Sequence, residues 1–181
     1  LFVGSPLVAR VLEATDALLL GAFADLDADP LAVPALAGLD TLDRAGYARS
    51  FPHQLTGCWT VGDIDGVAAV AGGVASAGAA ALAPAPVAAA PAACHNVYAY
   101  LAGTTLERDR TFTVRGACTR HEPAGYRPGE RQWAFTMREF VFAGDPAGAD
   151  RFLADGVERV HSLAVALGLP CELRGATDAF F

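Results

Sequence analysis

Residues 111–141, TFTVRGACTRHEPAGYRPGERQWAFTMREFV, constrain the fold more than any other stretch of the chain. Apolar and polar residues alternate through TFTVRGACTR, break at the Pro-, Gly- and charge-rich HEPAGYRPGERQ, and alternate again through WAFTMREFV. Period-two patterning on both sides of a turn-rich loop predicts an antiparallel β-hairpin. Arg120, His121, Glu122, Arg131, Arg138 and Glu139 crowd the loop and its bases. Guanidinium forks beside carboxylates on a sheet suit a polyanion such as a nucleoside triphosphate. Arg120 and Glu122 are two apart at a strand end, so their side chains share a direction. An Arg so placed can clamp a phosphate, and the carboxylate can orient an amine. A structural ion pair at the hairpin end explains the same residues equally well.

The cation set narrows the chemistry. All thirteen basic side chains are Arg and none is Lys. That excludes a phosphate-loop Lys and a Schiff-base Lys within this chain. Anion binding falls to Arg, backbone N–H groups or metal. A net charge of −7 and a pI of about 4.9 argue against broad nonspecific nucleic-acid binding. With 181 residues, 53% of them apolar, the chain is long enough for one domain with a real core. Cys58, Cys94, Cys118 and Cys171 show no CxxC spacing, so a reducing, cytoplasmic setting is expected. The Ala/Gly-rich run over 67–93 is interrupted by glycines and prolines and is not read as a membrane span.

Around the hairpin, the pattern predicts a helix over 6–24, with Pro6 in its first turn after Ser5 and a broad apolar face. Residues 31–36 read as a short strand, with Pro34 favouring an edge. A short helix is expected near 42–45, and a turn into a strand over 51–59. A turn at 62–66, with Asp63 and Asp65 as turn formers, leads to a small-residue helix over 67–81. Pro84, Pro86 and Pro91 mark 83–91 as an extended linker or a polyproline II piece. Residues 92–101 fit either a strand or the start of a helix. Asp145 caps a helix that Gly168 and Pro170 end, with Phe152, Leu153, Val157 and Val160 on its apolar face. A short strand is expected at 171–174. The final Ala179, Phe180 and Phe181 either pack or precede more chain. The sum is α+β, an antiparallel sheet flanked by helices.

Cys94, His95 and Glu139 are chemically suited to zinc, although a lone cysteine is more often a buried small hydrophobe. A Cys–His nucleophile using Cys94 or Cys58 is a further alternative. Phe135 shares its parity with Trp133, Met137 and Glu139, so it is either core or a stacking platform for a planar ring.

The segments Thr119-Arg120-His121-Glu122-Pro123 and Arg131-Gln132-Trp133-Ala134-Phe135-Thr136-Met137-Arg138-Glu139 resemble motif 2 of class II aminoacyl-tRNA synthetases. The likeness is greater to the amino acid:carrier-protein ligases, seryl-tRNA-synthetase-like enzymes without a tRNA-binding arm. Ala93-Cys94-His95 resembles their zinc-binding cysteine segment. Gly46-Tyr47 and Ser50-Phe51-Pro52-His53 resemble the stretch after motif 1, so the first helix and residues 31–36 would be motif 1 itself, the family's dimer-forming element.

The resemblance implies a single class II synthetase-like core over residues 1–181, shortened by the lack of the C-terminal motif 3 region. Arg120 would bind the α-phosphate of ATP, with magnesium accompanying the nucleotide. Glu122 would orient the adenine or the substrate amine, Arg131 would contact the outer phosphates, and Phe135 would stack on adenine. Cys94 and Glu139 would hold zinc, which would bind the amino group of a small amino acid. The aminoacyl group would then pass to the phosphopantetheine thiol of a carrier protein. A homodimer is implied, and tRNA is not expected as a partner. The alternative is a non-adenylating paralogue acting as an aminoacyl or acyl transferase, or as a binding partner in a biosynthetic pathway.

Overall fold

The computed structural model describes residues 3–122 and 125–175. Pro123 and the terminal Ala179, Phe180 and Phe181 lie outside the described residues. The predicted hairpin is present: β5 (Arg110–Thr119) and β6 (Ala134–Ala143) pair antiparallel without interruption, from Arg110 opposite Ala143 to Thr119 opposite Ala134. The Arg120 N–H donates to the Trp133 carbonyl at 2.8 Å and extends the ladder by one step. A short strand β1 (Asp29–Leu31) adds parallel to β5. Pro30 has no N–H to donate and is accommodated in this edge strand.

Residues directly opposite in a ladder share a face. Phe112, Val114, Gly116 and Cys118 therefore line up with Val141, Glu139, Met137 and Phe135. This face receives α6 (Cys94–Leu101), whose Val97 joins Ala93, Phe112, Val114, Cys118 and Val141 in a buried cluster. The approach depends on Gly116, where a Cβ would lie 2.9 Å from Ala93 Cβ. The 92–101 stretch, open between strand and helix from sequence, is thus helical.

The other face carries α1 (Pro6–Ala22) and α7 (Pro146–Ala166). Ser5 caps α1 and Asp145 caps α7, the latter accepting from Gly148 N–H at 2.8 Å. The α7 C-terminus closes with Gly168 N–H on Val165 O and Leu169 N–H on Ala164 O, a Schellman pattern made possible by the positive φ of Gly168. Helix α1 lays its charged side on the hairpin: Asp16 accepts from Arg138 at 2.7 and 2.8 Å, and Glu13 from Arg115 at 2.7 Å. Its apolar side is turned outward, with Leu7, Val11 and Leu12 each more than half exposed. Phe23, just after α1, stacks on Phe140 at 4.2 Å, and Phe152 of α7 stacks on Phe142 at 5.5 Å. Residues 171–175 form no strand, because no described strand pairs with them.

A second sheet has the order β2 (Leu36–Gly38), β4 (Leu82–Ala89), β3 (Gly57–Val61), all antiparallel. Residues 31–36 are therefore not one strand. Leu31 ends β1 and Leu36 begins β2, and Pro34 lies in the connection between the two sheets. Residues 83–91 are not a linker: most of them are strand. The prolines fit because β2 pairs only with 87–89, while Pro86 falls where the β3 register shifts between Gly57 and Trp59. The expected helix over 67–81 starts earlier, as α4 (Ile64–Ala71), because Asp63 acts as its N-cap on Gly66 N–H at 2.8 Å. Gly73, with φ +135°, then breaks it from α5 (Val74–Ala77). The short helix expected near 42–45 is α2 (Leu39–Arg44), followed by α3 (Tyr47–Ser50). Leu42 and Tyr47 anchor both to Ala37, Ala88 and Ala90 in a second buried cluster. Thr119 N–H donates to Ala90 O at 2.8 Å, which ties the second sheet to the base of the hairpin. No described helix is long and apolar enough to cross a membrane.

Candidate active site

A cleft of about 640 Å³ opens at the loop end of the hairpin, lined by Arg120, Glu122, Arg127, Arg131, Gln132 and Phe135. Four of the residues singled out from sequence thus meet in one place. Arg120 is fixed by its Nε, which donates to Pro91 O at 2.9 Å. Its guanidinium carbon lies 5.5 Å from the centroid of Phe135, and Nη2 contacts Met137 Sδ at 3.9 Å. The Nε contact leaves the terminal Nη edge as the part that can meet an oxyanion. Glu122 pairs through Oε2 with Arg131 Nε, so the ion pair at the hairpin end is real, but it joins Glu122 to Arg131 rather than to Arg120.

Glu122 Oε1 accepts from Gln54 Nε2 at 3.4 Å, and Gln54 Oε1 accepts from Tyr47 OH at 3.1 Å. The His121 N–H donates to Gln54 O at 2.9 Å. Sequence reasoning gave no role to Tyr47 or Gln54. Gln54 lies 68 positions before Glu122, and no spacing signal connects them. Trp133 packs edge-on to His121 at 4.9 Å and closes one side of the loop base.

A second centre lies on the same hairpin face. Glu139 Oε1 accepts the Ala93 N–H at 2.6 Å, and Oε2 accepts the Cys94 N–H at 3.0 Å. The carboxylate therefore satisfies donors that the start of α6 leaves open and meets the positive end of the helix dipole. The structure thus places Cys94 beside Glu139. Burial, and then the Glu139 charge, push the Cys94 thiol up to about 12, with a hydrogen bond from Tyr98 opposing the shift. A thiol this basic is protonated at neutral pH, which argues against Cys94 as a nucleophile. His95 is buried, faces Ala92 O through Nδ1 at 3.3 Å, and packs edge-on to Tyr47; burial lowers its pKa.

A cysteine sulfur, which must lose its proton on coordination, and a carboxylate are donors that zinc accepts, so the pair fits the ion in kind. A catalytic zinc site commonly uses three protein ligands. Among the described residues no group of three or more His, Cys, Asp or Glu side chains is placed to hold a metal. A more apolar cavity of about 490 Å³ lies on the opposite face, between α1, α7 and β6. Arg138, its charged side chain, is held by Asp16, and His161 and Cys171 complete its few polar groups.

A crystal structure of A. aeolicus tRNASec in complex with M. kandleri SerRS superposes with a TM-score of 0.66, at 19% identity over 83% of this chain and 33% of that chain. The chain has a class II aminoacyl-tRNA-synthetase-like fold. In sequence it is similar to amino acid--[acyl-carrier-protein] ligase 1 of Bradyrhizobium diazoefficiens, 31% identical over 174 residues, 91% of this chain and 52% of that protein. Ligase 2 of the same organism is 34% identical over 151 residues, 77% of this chain and 43% of that protein. The class II-like fold seen here is thus related to these ligases, and the chain spans about half the length of the curated relatives it matches. No protein-family model matches it.

Proposed function

We propose that the cleft binds ATP with magnesium and that the protein activates a small amino acid as its adenylate, then transfers it to a carrier-protein phosphopantetheine thiol. The observation that carries this reading is the convergence of Arg120, Glu122, Arg131 and Phe135 on one cleft, in a chain similar to two such ligases. Arg120, preset by Pro91 O, would bind the α-phosphate and stabilise the charge that builds as the amino-acid carboxylate oxygen attacks phosphorus and pyrophosphate leaves. Glu122 would receive the N–H groups of the adenine, Phe135 would stack on the ring, and Arg131 would reach the outer phosphates. In the second step the thiol sulfur attacks the acyl carbon, AMP leaves, and the thiol proton passes to solvent. Cys94 and Glu139 would hold zinc together with a further ligand, and the ion would supply a Lewis-acid site for the substrate amino group.

The test is amino-acid-dependent ATP–pyrophosphate exchange across the small amino acids. Exchange with one or a few of them is expected, and none with any would contradict adenylation. The Arg131–Glu122 pair favours a second reading, because it neutralises a cation that the outer phosphates would use. On that reading the protein is a non-adenylating aminoacyl or acyl transferase, with acyl transfer from a preformed donor but no exchange. We also propose a homodimer through the outward apolar side of α1. Val11→Asp, which touches neither cleft nor hairpin pair, should convert a sedimenting dimer to monomer; an unchanged sedimentation coefficient would reject that surface.

A further inference from the structure

We infer that Tyr47 and Gln54 are positioning residues that aim Glu122 at an exocyclic amine of the nucleobase, and so set the preference for an amino-purine over an oxo-purine triphosphate. The inference rests on the ATP reading of the cleft and adds to it two residues from a separate segment of the chain. A carboxylate only accepts hydrogen bonds, so Gln54 must turn its NH2 toward Glu122 and its carbonyl toward Tyr47. The Tyr47 hydroxyl donates to that carbonyl at 3.1 Å. The order of donors therefore runs one way, from Tyr47 O–H to Gln54 Oε1 and from Gln54 Nε2–H to Glu122 Oε1. If the amide were reversed, it would set carbonyl oxygen against carboxylate oxygen.

Both ends of this chain of bonds are anchored. Tyr47 is 5% exposed and packs with Leu42, Ala88 and Ala90, so its hydroxyl has little freedom to find another partner. Gln54 is tied through its backbone, because its carbonyl accepts the His121 N–H at 2.9 Å, one residue before Glu122. Arg131 holds the other carboxylate oxygen through Nε, so its contact with a phosphate on the ATP reading would be made by its terminal nitrogens. With each oxygen engaged once on the protein side, the carboxylate plane is set, and the remaining lone pairs can accept from a ligand N–H. A 6-amino group is a donor and is accepted. A 6-oxo group would face the carboxylate with its own lone pairs and be rejected.

The test compares Mg·ATP and Mg·GTP dissociation constants for the wild-type chain, Tyr47→Phe and Gln54→Met. Tyr47→Phe keeps the ring in the core and deletes the hydroxyl alone. The ratio of the two constants should fall about three- to tenfold in Tyr47→Phe and at least as far in Gln54→Met, the loss expected for one hydrogen bond. Melting temperatures are measured in parallel, since a purely structural role would move them without moving the ratio. A wild-type preference for ATP that both variants retain overturns this inference and leaves the nucleotide reading intact. A wild-type chain that binds neither nucleotide, or both equally, overturns the reading of Glu122 itself, and this inference with it.

Discussion

Replacing Glu139 by Gln isolates the contact that joins the hairpin to α6. The wild-type carboxylate accepts two backbone N–H groups, from Ala93 at 2.6 Å and Cys94 at 3.0 Å. Glutamine keeps one acceptor oxygen and sets its NH2 against the second N–H, donor against donor. Leaving that partly buried N–H without a partner costs about 1–3 kcal/mol. Removing the negative charge from the helix start costs roughly 0.5–1 kcal/mol more. Relief of the carboxylate's own desolvation works the other way, so the expected net loss is about 2 kcal/mol. Urea unfolding followed by tryptophan fluorescence in EDTA, to exclude any metal contribution, should show the midpoint falling by about 1 M at unchanged slope. Glu139→Asp, one methylene shorter, should not restore it. A shift below about 0.2 M would refute the account of α6 as a helix capped by the hairpin.

Two other outcomes follow from the packing of the hairpin faces. Asp16 is held below its usual pKa, chiefly by hydrogen bonds from Arg138, so its folded state takes up a proton less readily than the unfolded chain. Its stabilisation is present above the ordinary aspartate value of 3.8 and is lost as pH falls through the lower folded value. The gap between wild type and Asp16→Asn, about 2 kcal/mol at neutral pH, should therefore close in acid titrations of unfolding. Gly116→Ala puts a methyl 2.9 Å from Ala93 Cβ and 3.3 Å from Val33 Cγ2. It should cost about 1–3 kcal/mol by thermal unfolding, and an unaltered melting temperature would mean that α6 does not sit as closely as described.

The hairpin was legible because alternation on both sides of a turn-rich loop leaves few other folds for residues 111–141, and α1 and α7 because Ser5-Pro6 and Asp145-Pro146 spell out their starts. The errors arose where tertiary pairing overrode local signals. Pro84 and Pro86 suggested a linker, yet each sits where the β4 ladder is one-sided or shifted. Residues 31–36 look continuous, but their two halves serve different sheets. The apolar stripe of α1 was visible, but its orientation was not: Asp16 and Glu13 reach Arg138 and Arg115 across more than a hundred residues and leave Leu7 and Leu12 facing outward. At the site, Arg120, Glu122, Arg131 and Phe135 come from one continuous hairpin and could be read together. Tyr47 and Gln54 reach it only through the fold: the likeness at Gly46-Tyr47 and residues 50–53 marked a segment of the chain, not a contact with Glu122.

The central claim is that the hairpin cleft is a nucleotide site built on Arg120. Calorimetric titration of Mg·ATP into the wild-type chain and into Arg120→Gln, with melting temperatures recorded for both, tests it most directly. The account predicts saturable binding by wild type and affinity about 10- to 100-fold weaker in the variant, the loss of charge-assisted bonds to phosphate. No heat with wild type, or equal affinity in the two proteins, would contradict it.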